Sequence, residues 1–70
     1  MDKQTYISLA PLCRSAAEAQ AARYVHDEAE REDIVQDVLL KMWEQHELLQ
    51  PDPQKLKSYA ATLARNICLN

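Results

Sequence analysis

The chain has seventy residues, one small domain or a piece of something larger, with eight Lys and Arg against eleven Asp and Glu and a formal charge of −3. Charged residues at 27% and apolar residues at 47% are the proportions of a globular chain rather than a disordered one. Glycine is absent, which excludes the P-loop and the dinucleotide fingerprint, both built on Gly at fixed steps. It also argues against the Asn-Gly and Asp-Gly hairpin turns of β structure. Phe is absent, Trp occurs once, and Ala and Leu dominate, so the composition predicts an all-α fold. A domain of this size hides only about 60% of its unfolded surface, so a thin core is expected. No run of about 18 apolar residues is present, and Met1-Asp2-Lys3-Gln4 opens no signal-like stretch, so no membrane segment and a cytoplasmic location are expected. Cys13 and Cys68 lack metal-ligand spacing and are expected to be free thiols.

Three helical segments are predicted, giving a small three-helix bundle in a single domain over residues 1–70. The first runs from about Gln4 to Val25. Its back half, Ser15 to Arg23, is rich in the helix formers Ala, Glu and Gln. Pro11 interrupts it, so the helix either starts there, with Pro in its first turn, or is kinked there. Ile7, Leu9, Leu12, Ala16, Tyr24 and Val25 suggest its buried stripe. Next, Asp27 with Glu30 three residues on reads as an N-cap with capping-box support. Five acids from Asp27 to Asp33 also favour a helix N-terminus through the macrodipole. The second helix is expected over about Glu28 to His46. Pro51-Asp52-Pro53 is the clearest punctuation: Asp52 suits an N-cap and Pro53 a first helical residue. The third helix is expected from Pro53 to the end of the sequence.

Placing residues at about 100° per step sorts the faces. On the second helix Ile34, Val35, Val38, Leu39 and Met42 form the core arc, and Asp33, Asp37, Lys41 and Glu44 lie opposite. Leu40 sits among Asp33, Gln36, Asp37 and Glu44 on the polar side, and Trp43 lies at the boundary. Single exposed apolar residues are common, so pattern alone favours an ordinary solvated face. The functional alternative is an apolar anchor in an acidic rim, suited to a basic partner helix. On the third helix Leu56, Ala60, Leu63, Ala64 and Ile67 form the core stripe. Lys55, Tyr59, Thr62 and Asn66 recur at i, i+4, i+7 and i+11, with Ser58 and Arg65 just beyond. Those types stack on bases, donate to phosphate or read base edges, yet on pattern alone a solvated face again suffices. Catalytic signals are weak. His26 and His46 are isolated, the carboxylates lie on solvated faces, and no metal or cofactor site and no enzyme activity is expected.

Two blocks carry a resemblance. Glu32-Asp33-Ile34-Val35-Gln36-Asp37-Val38-Leu39-Leu40-Lys41-Met42-Trp43-Glu44 resembles the E-D-[ILV]-V-Q-[DE] helix of bacterial sigma factors, and most of all the extracytoplasmic-function group. At the family's spacing, Leu56-Lys57-Ser58-Tyr59-Ala60-Ala61-Thr62-Leu63-Ala64-Arg65-Asn66 resembles its W-L-x-x-I-A-R-N block. With Ala22-Arg23-Tyr24-Val25 before them, the resemblance covers about Leu12 to Asn70 and identifies region two.

The resemblance implies roles position by position. Asp33, Gln36 and Asp37, continued by Leu40 and Trp43, correspond to the surface that docks on the clamp helices of the RNA polymerase β′ subunit. The third helix corresponds to the part that reads and melts the promoter −10 element. Asn66 matches an Asn of that DNA surface, and Tyr59 stands where the family has Trp or another aromatic. Lys55 and Thr62 share the stripe, and Lys57 and Arg65 are candidates for phosphate contact. The loop from Glu47 to Gln54 matches a segment that captures a flipped base, although here it carries no aromatic. An anti-sigma factor is a further partner the resemblance allows. Departures count against DNA affinity: the net charge is negative, and neither the basic run that follows the Arg-Asn block nor the helix-turn-helix that reads the −35 element is present in this sequence. The chain is therefore expected to be region two alone, truncated from a chain of about one domain more, with weak DNA binding of its own. Two rivals remain: a helical interaction module that needs no DNA, and a regulatory decoy that keeps only the docking face.

Overall fold

The computed structural model describes residues 1–70. Three helices follow one another, α1 (Lys3–Ala21), α2 (Glu28–Glu44) and α3 (Pro53–Leu69), with a 3-10 turn over His46–Leu48 between the last two. The whole measures 34 × 18 × 18 Å, one helix long and about two helix diameters across. This is the expected all-α three-helix bundle.

Each start is set by a side chain that accepts from otherwise unpaired backbone N–H groups. Asp2 accepts from Thr5 N at 2.8 Å, Asp27 from Glu30 N at 3.1 Å, and Asp52 from Gln54 N at 3.0 Å and Lys55 N at 3.3 Å. Caps at Asp27 and Asp52 agree with the sequence reading. The α1 cap moves that helix's start ahead of Pro11, and α1 is neither split nor begun there. Proline removes one N–H and crowds the carbonyl four residues back, here that of Ile7. Ile7 is 50% exposed and Pro11 is exposed, so the unpaired carbonyl lies on the solvent side and the helix runs through.

The α1 end also differs from expectation: the helix stops at Ala21, and Ala22–Tyr24 form a turn. With no glycine, no residue in the chain takes a positive φ. The α1–α2 connection is instead closed by Arg31, whose Nη1 donates to the carbonyls of Val25 at 3.2 Å and His26 at 2.7 Å.

The core consists of Tyr6, Cys13 and Ala17 from α1, Val35, Val38 and Met42 from α2, and Leu56, Ala60 and Ala64 from α3. The α2 and α3 stripes match the periodicity reading, with Ile34, Leu39, Leu63 and Ile67 packed partly buried at the margin. The α1 stripe corrects it. Ile7 and Tyr24 are exposed, and Tyr6, Cys13, Ala17 and Ala21 are the buried residues. Small residues decide the packing. Ala17 and Ala21 on α1 and Ala60 and Ala64 on α3 are all fully buried, which lets two helix axes approach closely. α1 packs most extensively on α3. Both cysteines are free, and burial pushes the Cys13 thiol up, away from reactive thiolate.

Candidate docking and nucleic-acid faces

The α2 face assembles around an apolar groove. Tyr6 and Ala10 from α1 and Gln36, Leu39, Leu40 and Trp43 from α2 line a concavity of about 350 Å³. Leu40 is 56% and Trp43 37% exposed, so two large apolar edges stand open to solvent. Beside them Asp33 is exposed, and Asp37 is half-buried and accepts from Lys41 Nζ at 3.0 Å. Gln36 donates to Glu32 Oε1 at 2.9 Å, and Glu32 in turn takes a two-pronged bond from Arg14, at 2.8 and 3.1 Å. That bridge ties α1 to α2 and holds the Glu32 carboxyl well below the usual range, at about 2, through the Arg14 and Gln36 hydrogen bonds. The five docking residues expected from the sequence thus share one face. Tyr6 and Ala10 were not among them, because periodicity within one helix carries no signal for what a neighbouring helix contributes, and Leu39 belongs by periodicity to the core arc.

Trp43 is held from below. It stacks on His46 with ring centroids 4.2 Å apart and planes 12° from parallel, and Tyr6 tilts against both rings at 5.5 and 5.9 Å. Tyr6 donates its hydroxyl to the Leu39 carbonyl at 3.0 Å. His46 is therefore not isolated, as spacing alone suggested. It ends α2 two residues earlier than expected, because Gln45 leaves helical geometry and His46 Nδ1 lies 2.7 Å from the Trp43 carbonyl. The Met1 ammonium donates to the carbonyls of His46, Glu47 and Leu49, at 3.0, 3.2 and 2.7 Å, so the short turn is pinned from α1's side as well.

The α3 face is different in kind. Lys55, Lys57, Thr62, Arg65 and Asn66 are exposed along it, and Lys57 and Arg65 take no part in either ion pair of the molecule. Tyr59 is half-buried and donates its hydroxyl to Gln45 Oε1 at 2.9 Å. At the N-terminal end of α3, Leu48, Leu49, Gln50, Lys55, Leu56 and Tyr59 line a cleft of about 420 Å³. The loop expected to lack an aromatic therefore borrows one from α3. Groove and cleft share no residue. A third, more polar hollow over Trp43–Leu48 takes Trp43 from one and Leu48 from the other.

Charge separates in the same way. Helix α2 carries six acids against Arg31 and Lys41, a formal −4, whereas α3 carries Lys55, Lys57 and Arg65 with no acid, a formal +3. The net −3 of the chain conceals a basic helix beside an acidic one. No three His, Cys, Asp or Glu side chains are grouped to hold a metal ion, and no helix is long and apolar enough to cross a membrane.

The molecule is thus an all-α bundle with an apolar groove on its acidic helix and an aromatic-bearing basic helix beside it. Residues 12–70 match the sigma-70 region 2 family, and the chain belongs to it. No curated protein and no solved structure matches the chain. Membership makes it a sigma-factor domain of transcription initiation, whose family binds core RNA polymerase and promoter DNA and is in general not enzymatic.

Proposed function

We propose that the chain is the polymerase-docking and −10-reading domain of an extracytoplasmic-function sigma factor. In this reading α2 seats on the β′ clamp helices through Asp33, Gln36, Asp37, Leu40 and Trp43. The observation that carries it is the groove: two exposed apolar edges of the Glu32–Glu44 block, Leu40 and Trp43, flank a concavity of about 350 Å³ between α1 and α2, beside the acids of α2. An apolar side chain of a partner helix fits the groove, while Asp33 and Asp37 meet its basic neighbours. Lys41 must release Asp37 or share it, at little cost, because exposed pairs are worth about 0–1 kcal/mol. The same groove is the surface an anti-sigma factor would cover to keep the domain off the polymerase.

The basic helix then faces promoter DNA. Lys55, Lys57 and Arg65 contact phosphate, while Tyr59, Thr62 and Asn66 face the melted −10 strand. The cleft beside Tyr59 receives the base that the Glu47–Gln54 loop extracts from the stack. Three cations are few, so the domain relies on the polymerase to hold DNA near it, and its own affinity for DNA is weak and falls steeply with salt.

Calorimetric titration of the chain with a purified β′ clamp-helix fragment tests the docking claim. Micromolar or tighter binding is expected, weakened about tenfold or more by Asp37→Arg and by Leu40→Ala. No heat of binding from a chain with helical circular dichroism would remove the docking claim and leave a helical module with another partner.

A further inference from the structure

Gln36 lines the α2 groove, and its amide is not free to turn. Glu32, one helical turn before it, holds two side chains at once. Its Oε1 accepts from Gln36 Nε2 at 2.9 Å and from Arg14 Nη2 at 2.8 Å, and its Oε2 accepts from Arg14 Nη1 at 3.1 Å. A guanidinium fork on both oxygens fixes the plane of the carboxylate, and the fork is anchored on the other helix. An ionised carboxylate only accepts, so Gln36 must give it the NH2 group. The amide oxygen of Gln36 therefore points away from Glu32 and takes no bond within the chain. The rest of α2 has the same sign. Arg31 donates to the carbonyls of Val25 and His26, and Lys41 donates to Asp37. Both cations of the helix are thus engaged within the chain, and acceptors are what it shows a partner: Asp33, Asp37 and the Gln36 oxygen.

We propose that Arg14 and Glu32 are positioning residues, which hold the Gln36 oxygen toward the docked partner and so select a helix that sets a basic side chain beside its apolar anchor. Neither residue lines the groove, and each acts through Gln36. A guanidinium or ammonium opposite Gln36 meets an acceptor already aimed, so the amide need not be ordered on binding. A partner with a carboxylate there meets oxygen against oxygen and is rejected. The inference rests on the docking reading above and adds how the groove chooses what it docks.

The test is a charge swap read through Gln36. The double variant Arg14→Glu/Glu32→Arg rebuilds the bridge between α1 and α2 in reverse, so the brace is kept. A guanidinium at position 32 only donates, so Gln36 must turn its oxygen inward and show its NH2 group to the partner. Calorimetric titration with the purified β′ clamp-helix fragment is expected to find binding about tenfold weaker than for the unaltered chain, at a similar urea midpoint. Gln36→Met should also cost about tenfold in the unaltered chain, and nothing further in the swapped one, because the swap has already taken the acceptor away. Gln36→Glu in the swapped chain offers one oxygen to the guanidinium and the other to the partner, and should restore most of the lost affinity. Full affinity of the swapped chain would reduce the bridge to a brace and overturn the inference. So would losses from the swap and from Gln36→Met that multiply to about a hundredfold, since the two would then act independently. Glu32→Gln keeps the side-chain shape and serves where the swap does not fold. Its amide can offer Gln36 a donor or an acceptor, so binding severalfold weaker is expected, and equality with the unaltered chain would overturn the inference. No binding by the unaltered chain, helical by circular dichroism, would overturn the docking reading and this inference together.

Discussion

Met42 is the largest side chain fully out of water, and it sits where α2 meets the other two helices. Met42→Ala is expected to destabilise the domain by about 2–5 kcal/mol in a urea titration, through lost transfer energy and a residual cavity. Replacing Ala64 by Leu should cost about 1–3 kcal/mol for the opposite reason, since no space is left where α1 and α3 meet. Glu32 gives a pH signature. Its folded value, about 2, lies below its ordinary 4.5, so the Arg14 bridge stabilises fully above 4.5 and loses that contribution as pH falls through about 2. Melting curves of wild type and Glu32→Gln should therefore differ by a constant, small amount at neutral pH and converge near pH 2. Both partners are well exposed, which keeps the difference small. At this scale Val35, Val38, Met42, Leu56, Ala60 and Ala64 were legible, because each lies on a clean 3.6-residue stripe. Tyr6 and Cys13 were not. The run of small and polar residues from Ser15 to Arg23 gives α1 no sharp apolar face, and Pro11 draws the eye to a break that the fold does not have.

Among the elements, α1 contains an avoidable weakness and α3 a dependence. Pro11→Ala restores an N–H to the Ile7 carbonyl on an exposed face and should raise stability by about 1–3 kcal/mol, read from the urea midpoint at unchanged slope. Asp52→Ala leaves the Gln54 and Lys55 amides without their acceptor and should cost about 0.5–2 kcal/mol. Since Lys55 is also a wall of the cleft, fraying there should loosen the cleft before the rest of the molecule. Asp27 and Asp52 could be read as caps because each precedes a strong helical pattern and carries its mechanism locally. The 3-10 turn over His46–Leu48 could not. It is held by the Trp43–His46 stack and by the Met1 ammonium on its carbonyls, the latter a contact between segments far apart in sequence. The same reason hid the cleft, whose aromatic wall belongs to α3 and whose loop looked bare.

Over the whole molecule, the α2 groove and the α3 cleft share no side chain. Helix α2 is acidic and α3 basic, a division that net charge, being a sum, could not reveal. The proposed polymerase-binding surface lies on α2. Its most direct measurement is a map of backbone amide shifts in the ¹⁵N-labelled chain as the β′ clamp-helix fragment is added. Perturbations are expected to centre on Asp33, Gln36, Asp37, Leu40 and Trp43 and to reach Tyr6 and Ala10 across the groove, with Thr62, Arg65 and Asn66 unmoved. Perturbations centred on α3, with the groove silent, would contradict it.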